Sequence, residues 1–410
     1  MTDNNAYASE FLKKSTLMFF PVFLIMYELV VNLSNDMYIP ASTYLVDYFH
    51  TNAYYIQLTF TSWFAGSMIV NPILGVLSDN LCRKKILLFS GLCFMAASLY
   101  CAVSADIYLF LLARFIQGVT VTTIVICGYA LVHDIYDDKR AIILISWMSG
   151  VLITAPMLGP LMGGYVIYFL NWQAIFVILA FVAAVSLVGI KFVMPERQVI
   201  SQEPINWGQE LLTYVKILCH TEFMLLTMIS AMLFGGIIAW ITASPFLLIG
   251  KYDFTPVQFG LAQMPIFGSY IVGTFVLKFF LKLDIKETRI ITIGIVVAAL
   301  TSALMFLTRQ TGISNVTHLL ALVSLYSFVF GLISSPLNRV AVKAVDYGLG
   351  KTMAMFDFMI GLSATVATIL INVSAGDVLS LFYVTIGSFA LLSCVFFTFN
   401  EVRSNVRKCR

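Results

Sequence analysis

The stretch MYELVVNLSNDMYIP, from Met26 to Pro40, ends an apolar segment that begins near Leu17. A helix that spans a bilayer needs about 20 mainly apolar residues, and this segment is long enough. Two acids, Glu28 and Asp36, interrupt it. A carboxylate removed from water costs several kcal/mol unless it is paired, protonated or wetted by a cavity. The stretch therefore predicts a membrane helix that carries a polar site.

The composition of the whole chain indicates a polytopic membrane protein. Of its 410 residues, 60% are hydrophobic and 11% are charged, whereas soluble domains carry about 25% charged residues. The mean hydropathy is +0.93. The seven cysteines have neither metal-site nor disulfide spacing, and the four histidines are scattered over loops and span ends. We therefore predict no metal site and no cofactor, and we predict that the protein is not an enzyme.

Apolar runs divide the chain into about twelve spans. They are residues 17–39, 55–77, 85–103, 107–132, 142–168, 175–194, 223–248, 257–280, 290–307, 319–337, 352–373 and 379–399. The longest polar connection separates the first six runs from the last six. We predict an all-α membrane protein with two pseudo-symmetric six-helix halves, residues 1–195 and 219–410, joined by a central loop at residues 196–218.

The distribution of basic residues predicts the orientation of the chain in the membrane. Lysines and arginines lie before the first run, in alternate connections and in the C-terminal tail, whereas the other connections contain only Lys251 and Arg309. Cytoplasmic loops of membrane proteins carry an excess of Lys and Arg. We therefore expect both termini and the central loop to be cytoplasmic in a multi-pass membrane protein.

The connection GVLSDNLCRKK (residues 75–85) resembles the signature G-x-L-x-D-R-x-G-R-[RK] of the major facilitator superfamily. The matching residues are Gly75, Leu77, Asp79, Arg83 and Lys84, while Asn80 and Cys82 replace an arginine and a glycine. The resemblance implies a cytoplasmic gate in which Gly75 permits close helix approach and Asp79 forms a latch with Arg83. An ordinary basic loop is the alternative. A positive φ at Cys82 would cost about 1 kcal/mol.

The fourth run contains LLARFIQGVT (residues 111–120), with Arg114 and Gln117. An arginine inside an apolar span is expected to have a partner and a function. The pattern R-x-x-Q-G resembles the fourth-span signature of proton-coupled members of the superfamily. Glu28 and Asp36 are the expected partners of Arg114. The alternative is a fixed arginine–acid pair that only holds helices together.

The fifth run contains GVLITAPMLGPLMGG (residues 150–164), which resembles the antiporter signature of drug exporters in the superfamily. The residues that carry the resemblance are Gly150, Gly159, Pro160, Gly163 and Gly164. Small residues permit tight packing on a neighbouring helix, and proline bends a helix. The resemblance implies a sliding contact between the two halves. A generic packing face of small residues is the alternative.

The opening stretch resembles the first span of the twelve-span drug/proton antiporters, and the spacing of its acids resembles MdfA-type multidrug transporters. Eight residues separate Glu28 from Asp36, which places them about 12 Å apart along a helix and about 80° apart around it. Both acids can therefore face one cavity, and the resemblance implies that they couple protons to substrate together with Arg114. The other expected cavity residues are Tyr27, Asn32, Asn35 and Gln117. The alternative is a solvated pair of acids without a coupling role.

These features predict a secondary transporter that exports lipophilic, often cationic, small molecules in exchange for protons. Its expected partners are small-molecule substrates, protons and lipid, with no nucleic acid, and we expect a monomer driven by the proton gradient. A dedicated exporter of one endogenous metabolite, such as a siderophore, is the alternative, and a nutrient importer of the same fold is a weaker one. The role of Asp357 in the eleventh run stays open between a cavity acid and a cytoplasm-facing residue.

Overall fold

The fold consists of long helices. The computed structural model describes residues 2–136, 138–194, 206–310, 315–372 and 378–408, and these ranges contain fifteen α-helices and no strand. The helices are α1 (Thr2–Asp36), α2 (Ser42–Tyr48), α3 (Ala53–Asn80), α4 (Arg83–Val103), α5 (Ile107–Thr123), α6 (Tyr129–Ile135), α7 (Asp138–Phe169), α8 (Trp172–Val193), α9 (Trp207–Cys219), α10 (Thr221–Leu248), α11 (Pro256–Lys282), α12 (Glu287–Gln310), α13 (Val316–Lys343), α14 (Leu349–Asn372) and α15 (Val378–Lys408). A 3₁₀ turn, Ile39–Ala41, leads into α2, and a π-helical turn, Ile124–Gly128, joins α5 to α6.

Eleven spans built from the described helices are long and apolar enough to cross a membrane, with α1–α2 and α5–α6 each forming one span. Helix α7, which is 32 residues long, corresponds to the fifth apolar run of the sequence. Large apolar side chains such as Phe89, Phe181 and Phe192 stay exposed on the outside of the bundle, where lipid covers them. The predicted all-α polytopic architecture is confirmed for the described residues.

The central connection contains a helix where the sequence predicted a loop. Residues 195–205 lie outside the described ranges, but α9 follows at once, and the side chain of Asn206 accepts a hydrogen bond from the backbone N–H of Gln209 at 3.2 Å. Two of its side chains, Tyr214 and Ile217, are buried against the bundle. The helix is amphipathic, and its apolar face is only partly buried, since Trp207, Leu211 and Val215 stay exposed beside Tyr214.

The packing of the first six spans recurs in the last six. In the first set α3 packs on α5, α1 on α8, and α4 on α8; in the second set α11 packs on α13, α10 on α15, and α12 on α15. The α3–α5 contact is close because a side chain at Gly118 would collide with the backbone oxygen of Trp63. The α11–α13 contact is close for the same reason, since a side chain at Gly331 would collide with the backbone oxygen of Tyr270.

The bundle has two ends, because successive spans run in opposite directions. The end with α9 and the α3–α4 connection is called the terminal face, and the end with α2 and the α10–α11 connection is called the opposite face. The main contacts between the two sets of spans are α7 with α11 and α3 with α14. In the second contact the Thr61 hydroxyl donates to that of Thr368 at 2.8 Å.

Candidate functional site

A cavity of about 350 Å³ lies inside the bundle and is lined by both sets of spans. Its lining is mainly aromatic and aliphatic, from Trp63, Phe64, Phe234, Ile237, Ile238, Ile241, Phe267, Tyr270 and Phe330. Among the described residues that line this central cavity, Asp36 is the only one with a charge. A pocket of this size, apolar with a few polar groups, is typical of small-molecule sites.

Asp36 is the last residue of α1 and is 5% exposed. Its Oδ1 accepts a long hydrogen bond from Asn35 Nδ2 at 3.5 Å. The backbone of α7 lies directly beside it, because a side chain at Gly159 would come within 2.6 Å of the Asp36 Cβ. An acid placed this way can hold a proton or balance the charge of a cation in the cavity.

Arg114 is fully buried and is held by neutral oxygens. Its Nη1 donates to the Ser34 backbone oxygen at 2.9 Å and to Gln117 Oε1 at 2.7 Å, and its Nη2 donates to Asn35 Oδ1 at 3.1 Å. The guanidinium also lies 4.5 Å from the centre of the Tyr38 ring, a favourable cation–π contact.

The carboxylate partners expected for Arg114 are not its direct contacts. Among the described residues, it forms no salt bridge with Glu28 or Asp36. The guanidinium has five N–H donors, and three of them bond to amide and carbonyl oxygens of α1 and α5, while Nε has no hydrogen-bond partner in the described part of the chain.

Glu28 is fully buried and lies away from the central cavity. Its Oε1 accepts a hydrogen bond from the Tyr129 hydroxyl at 3.1 Å, and its Oε2 has no hydrogen-bond partner in the described part of the chain. Tyr129 follows the π-helical turn Ile124–Gly128 and lines a second cavity at the terminal face. The two acids therefore do not share one cavity, contrary to the expectation from helix geometry.

The second cavity, called the terminal-face cavity, has a volume of about 570 Å³ and lies among α3, α5–α6, α9 and α14. Its lining includes Arg83, Tyr129, Glu210, Tyr214, Lys351 and Asp357. The sequence left the place of Asp357 open, and the structure puts it on the wall of this cavity. No group of three or more His, Cys, Asp or Glu that could hold a metal ion occurs within the described residues.

Two of the four other expected cavity residues line the central cavity and two do not. Asn32 and Asn35 line it. Tyr27 is fully buried and packs edge-on against Phe94, with ring centroids 6.4 Å apart. Gln117 is buried between Arg114 and Ser98, and its Nε2 donates to the Ser98 hydroxyl at 2.8 Å. Tyr27 and Gln117 therefore lie in the packed interior behind the cavity wall and do not line the cavity.

The gate motif is partly described. Arg83 Nε donates to the Ser78 backbone oxygen at 3.1 Å, and Lys84 Nζ donates to that of Met194 at 2.5 Å. A side chain at Gly75 would lie 3.6 Å from the Tyr214 hydroxyl, so this position faces α9. The side chains of Asp79 and Asn80 lie outside the described residues, and so does the latch expected for Asp79. Cys82 has φ −64°, so the glycine that it replaces is not needed for backbone conformation.

The glycines of the fifth run allow α7 to pack closely against the end of α1 and the start of α11. A side chain at Gly163 would collide with the backbone oxygen of Met37, and one at Gly164 with the backbone oxygen of Pro256 at the start of α11. The backbone beside Pro160 in turn lies against Gly260. At Gly150 a side chain would meet nothing within 4 Å. The motif therefore holds α7 between α1 and α11 at the opposite face.

A bundle of apolar spans around a mainly apolar central cavity is the architecture of a membrane transporter for small molecules. Residues 24–368 match the sequence profile of the Major Facilitator Superfamily, and the chain belongs to this family. Its members are transporters rather than enzymes, and the chain is a multi-pass membrane protein of this kind.

Relatives of the chain include drug transporters. It is 30% identical over 351 residues to the chloramphenicol resistance protein CraA of Acinetobacter baumannii, covering 85% of this chain and 84% of CraA. It is 29% identical over 343 residues to the multidrug transporter MdfA of Escherichia coli, covering 82% of each chain. The predicted resemblance to MdfA-type transporters is confirmed at this level.

A solved structure supports the fold. The crystal structure of a bacterial homologue of the human lysosomal transporter Spinster, in an inward-facing and occupied conformation, matches with a TM-score of 0.72 at 12% sequence identity. The match covers 94% of this chain and 96% of the other. The predicted major facilitator fold is therefore confirmed.

Proposed function

We propose that the protein exports lipophilic, often cationic, small molecules across a bacterial inner membrane in exchange for protons. The observation that carries the proposal is Asp36, the one charged side chain among the described residues that line a mainly apolar cavity. The apolar wall suits lipophilic drugs, and the carboxylate suits either a proton or a cation. The family and its multidrug relatives support the same class of substrate.

Competition at Asp36 supplies the coupling. A cation in the central cavity favours the ionised carboxylate and so displaces its proton, and a returning proton weakens the hold on the cation by the same factor. Glu28 is the second proton site, and its link to Tyr129 connects it with the terminal-face cavity. Exchange of one proton for one monovalent cation moves no net charge. Such a cycle therefore runs on the pH difference and does not draw on the membrane potential, which is worth about 2.3 kcal/mol per charge per 100 mV.

The direction of transport requires the two faces to open in turn. The α7–α11 contact at Gly164 and Gly260 brings the two sets of spans together at the opposite face, while the terminal face contains the 570 Å³ cavity. With the terminal face in the cytoplasm, as the basic residues predict, this arrangement admits substrate from the cytoplasm. Both chain termini are cytoplasmic in this proposal, and no cofactor takes part.

Proteoliposomes with an acidic interior and a trapped pH dye test the proposal. Ethidium added outside is expected to drive protons out of vesicles that hold the wild-type protein. Asp36→Asn is expected to abolish this signal and Glu28→Gln to reduce it strongly. Asp47→Asn, which removes an exposed acid from α2, is the matched control and should behave as wild type.

Wild-type proton release in both Asp36→Asn and Glu28→Gln would rule out these acids as coupling sites. A silent dye with wild-type protein across a broad panel of cationic and neutral drugs would contradict multidrug export. In that case one endogenous metabolite would be the substrate.

A further inference from the structure

The terminal-face cavity is separate from the central cavity, since the two share no lining residue among those described. Its wall combines apolar side chains with three tyrosines, Tyr129, Tyr214 and Tyr347. A volume of about 570 Å³ falls within the range of small-molecule pockets, about 300–1,000 Å³. The cavity is therefore large enough for a drug-sized molecule, whereas a proton path needs only a chain of water.

Four charged residues of the described part of the chain line this cavity, and three of them have a polar partner. Lys351 Nζ lies 2.7 Å from Glu210 Oε2, so these two charges compensate each other. Arg83 donates to the Ser78 backbone oxygen. Asp357 opens on the cavity, and the described residues supply it with neither a hydrogen bond nor an ion pair. A carboxylate inside a protein without a partner is costly, and a cationic ligand removes that cost.

We propose that Asp357 anchors a second binding site, which takes lipophilic organic cations as they enter from the terminal face. The inference rests on the proposed function, because it assigns the first binding step of the same substrates. The carboxylate of Asp357 pairs with the positive charge, and the tyrosine rings on the wall supply apolar and cation–π surface. An anion does not suit the site, because Lys351 is paired with Glu210, Arg83 is engaged by neighbouring groups such as the Ser78 backbone oxygen, and Asp357 would repel it. Neutral drugs gain nothing from Asp357, so the site favours cations over neutral substrates.

Equilibrium binding to the full chain in detergent, at one fixed pH and without a gradient, tests the inference. Ethidium is the cationic probe and chloramphenicol the neutral one. Asp357→Asn is expected to weaken ethidium binding about tenfold, the size of one charge-assisted contact, and to leave chloramphenicol binding unchanged. Asp357→Glu should keep most of the ethidium affinity. Asp346→Asn removes an exposed carboxylate outside the cavity and should bind both probes as wild type.

Unchanged ethidium affinity in a folded Asp357→Asn protein would overturn the inference, and so would an equal loss for chloramphenicol. Asp36→Asn separates the two proposals. If only Asp36→Asn weakens ethidium binding, the coupling role of Asp36 stands and the second site does not exist. If only Asp357→Asn weakens it, the second site stands and the role of Asp36 fails.

Labelling with maleimide is an independent test of the site. Met353→Cys places a thiol on the same wall, and its labelling above that of the parent chain should fall when ethidium is bound. Lack of protection would contradict the site.

Discussion

Asn35 is the residue that connects Arg114 to Asp36. Its Oδ1 accepts from the guanidinium at 3.1 Å, and its Nδ2 donates to Asp36 Oδ1 at 3.5 Å. A direct ion pair between two buried charges is difficult to separate, because each partner alone pays the full cost of burial. The amide between them leaves the Asp36 carboxylate accessible to a proton or a cation while the arginine stays fixed.

Tyr129→Phe tests the link between Glu28 and the terminal-face cavity. The variant removes the hydroxyl that donates to Glu28 Oε1, and Oε2 already has no partner among the described residues. A hydrogen bond to a charged group is worth about 1.5–3 kcal/mol, so its loss makes the ionised Glu28 carboxylate less stable by about that amount. We therefore expect cation-driven proton release to slow at least about tenfold. Ethidium binding should not change, because the ring remains. Stopped-flow recording of the trapped pH dye measures the rate.

Tyr165→Phe, at an exposed tyrosine of α7, is the control for the Tyr129 variant and should transport at the wild-type rate. Wild-type kinetics in Tyr129→Phe would mean that protons leave Glu28 by another route. A large loss of ethidium binding would instead show that the hydroxyl acts on the substrate.

The sequence predicted the charged residues of the site better than their contacts. Glu28, Asp36 and Arg114 stand out because ionisable residues are rare inside apolar spans. Their partners could not be predicted in the same way, since an arginine in an apolar span can be held by amides, carbonyls or a ring as well as by acids. The individual aromatic cavity residues could not be named from the sequence, because a Phe234 or Phe330 that faces a cavity has the same pattern as one that packs in the core.

At the scale of elements, α7 depends on small residues at three successive contacts. Gly159 lies against Asp36, Gly163 against Met37, and Gly164 against Pro256. Without side chains at these positions the α7 backbone approaches both α1 and α11, so movement between α7 and α11 at the opposite face must change these close contacts.

Gly163→Ala and Gly150→Ala form a matched pair within α7. The added Cβ at Gly163 meets the backbone oxygen of Met37, which cannot rotate away. We expect this variant to lose about 1–3 kcal/mol of stability and most of its transport. At Gly150 nothing lies within 4 Å, so alanine should be neutral or gain up to about 1 kcal/mol from its better helix propensity. Melting temperatures in detergent and the proton-release assay measure both effects.

Equal behaviour of the two alanine variants would contradict the packing account of the fifth-run motif. A Gly163→Ala protein with normal stability but no transport would show that the contact matters for movement more than for folding.

Helix α9 shows where the sequence pattern failed at this scale. The connection looked polar and was predicted as a loop, because its charged and small residues outnumber its apolar ones at the start. The helix exists because Asn206 caps it and because its apolar residues, read at a helical period, put Tyr214 and Ile217 on one side. A span-length search for apolar runs cannot detect such a short amphipathic helix.

At the scale of the whole molecule, the sequence predicted a helical bundle of many spans and not which spans are neighbours. Hydropathy shows that a run crosses the membrane, but it does not say which runs meet. The contacts α7–α11 and α3–α14 depend on particular small or polar residues, such as Gly260 and the pair Thr61 and Thr368. Both contacts include residues near the opposite face, and the α3–α14 contact continues to the terminal face, where a side chain at Gly75 would lie 3.9 Å from the Ala354 Cβ.

A reversible cross-link between Thr61→Cys and Thr368→Cys tests whether the opposite face must open. The two hydroxyls are 2.8 Å apart, so the replacement thiols lie close enough for oxidation to join α3 to α14. We expect the oxidised double variant to lose transport completely and to recover it with a reductant. Ethidium should still bind to the cross-linked protein, because the terminal face stays as it is in this structure. The proton-release assay and equilibrium binding measure the two effects.

The two single-cysteine variants are the controls, because native cysteines are present in both and neither can form the new bond. If the cross-linked protein transports at the wild-type rate, α3 and α14 do not separate during the cycle, and the opposite face must open by another contact. If it loses ethidium binding as well, substrate reaches the cavity from the opposite face, which reverses the proposed direction of entry. Loss of transport with binding retained therefore supports both the alternating opening of the two faces and the side from which substrate enters.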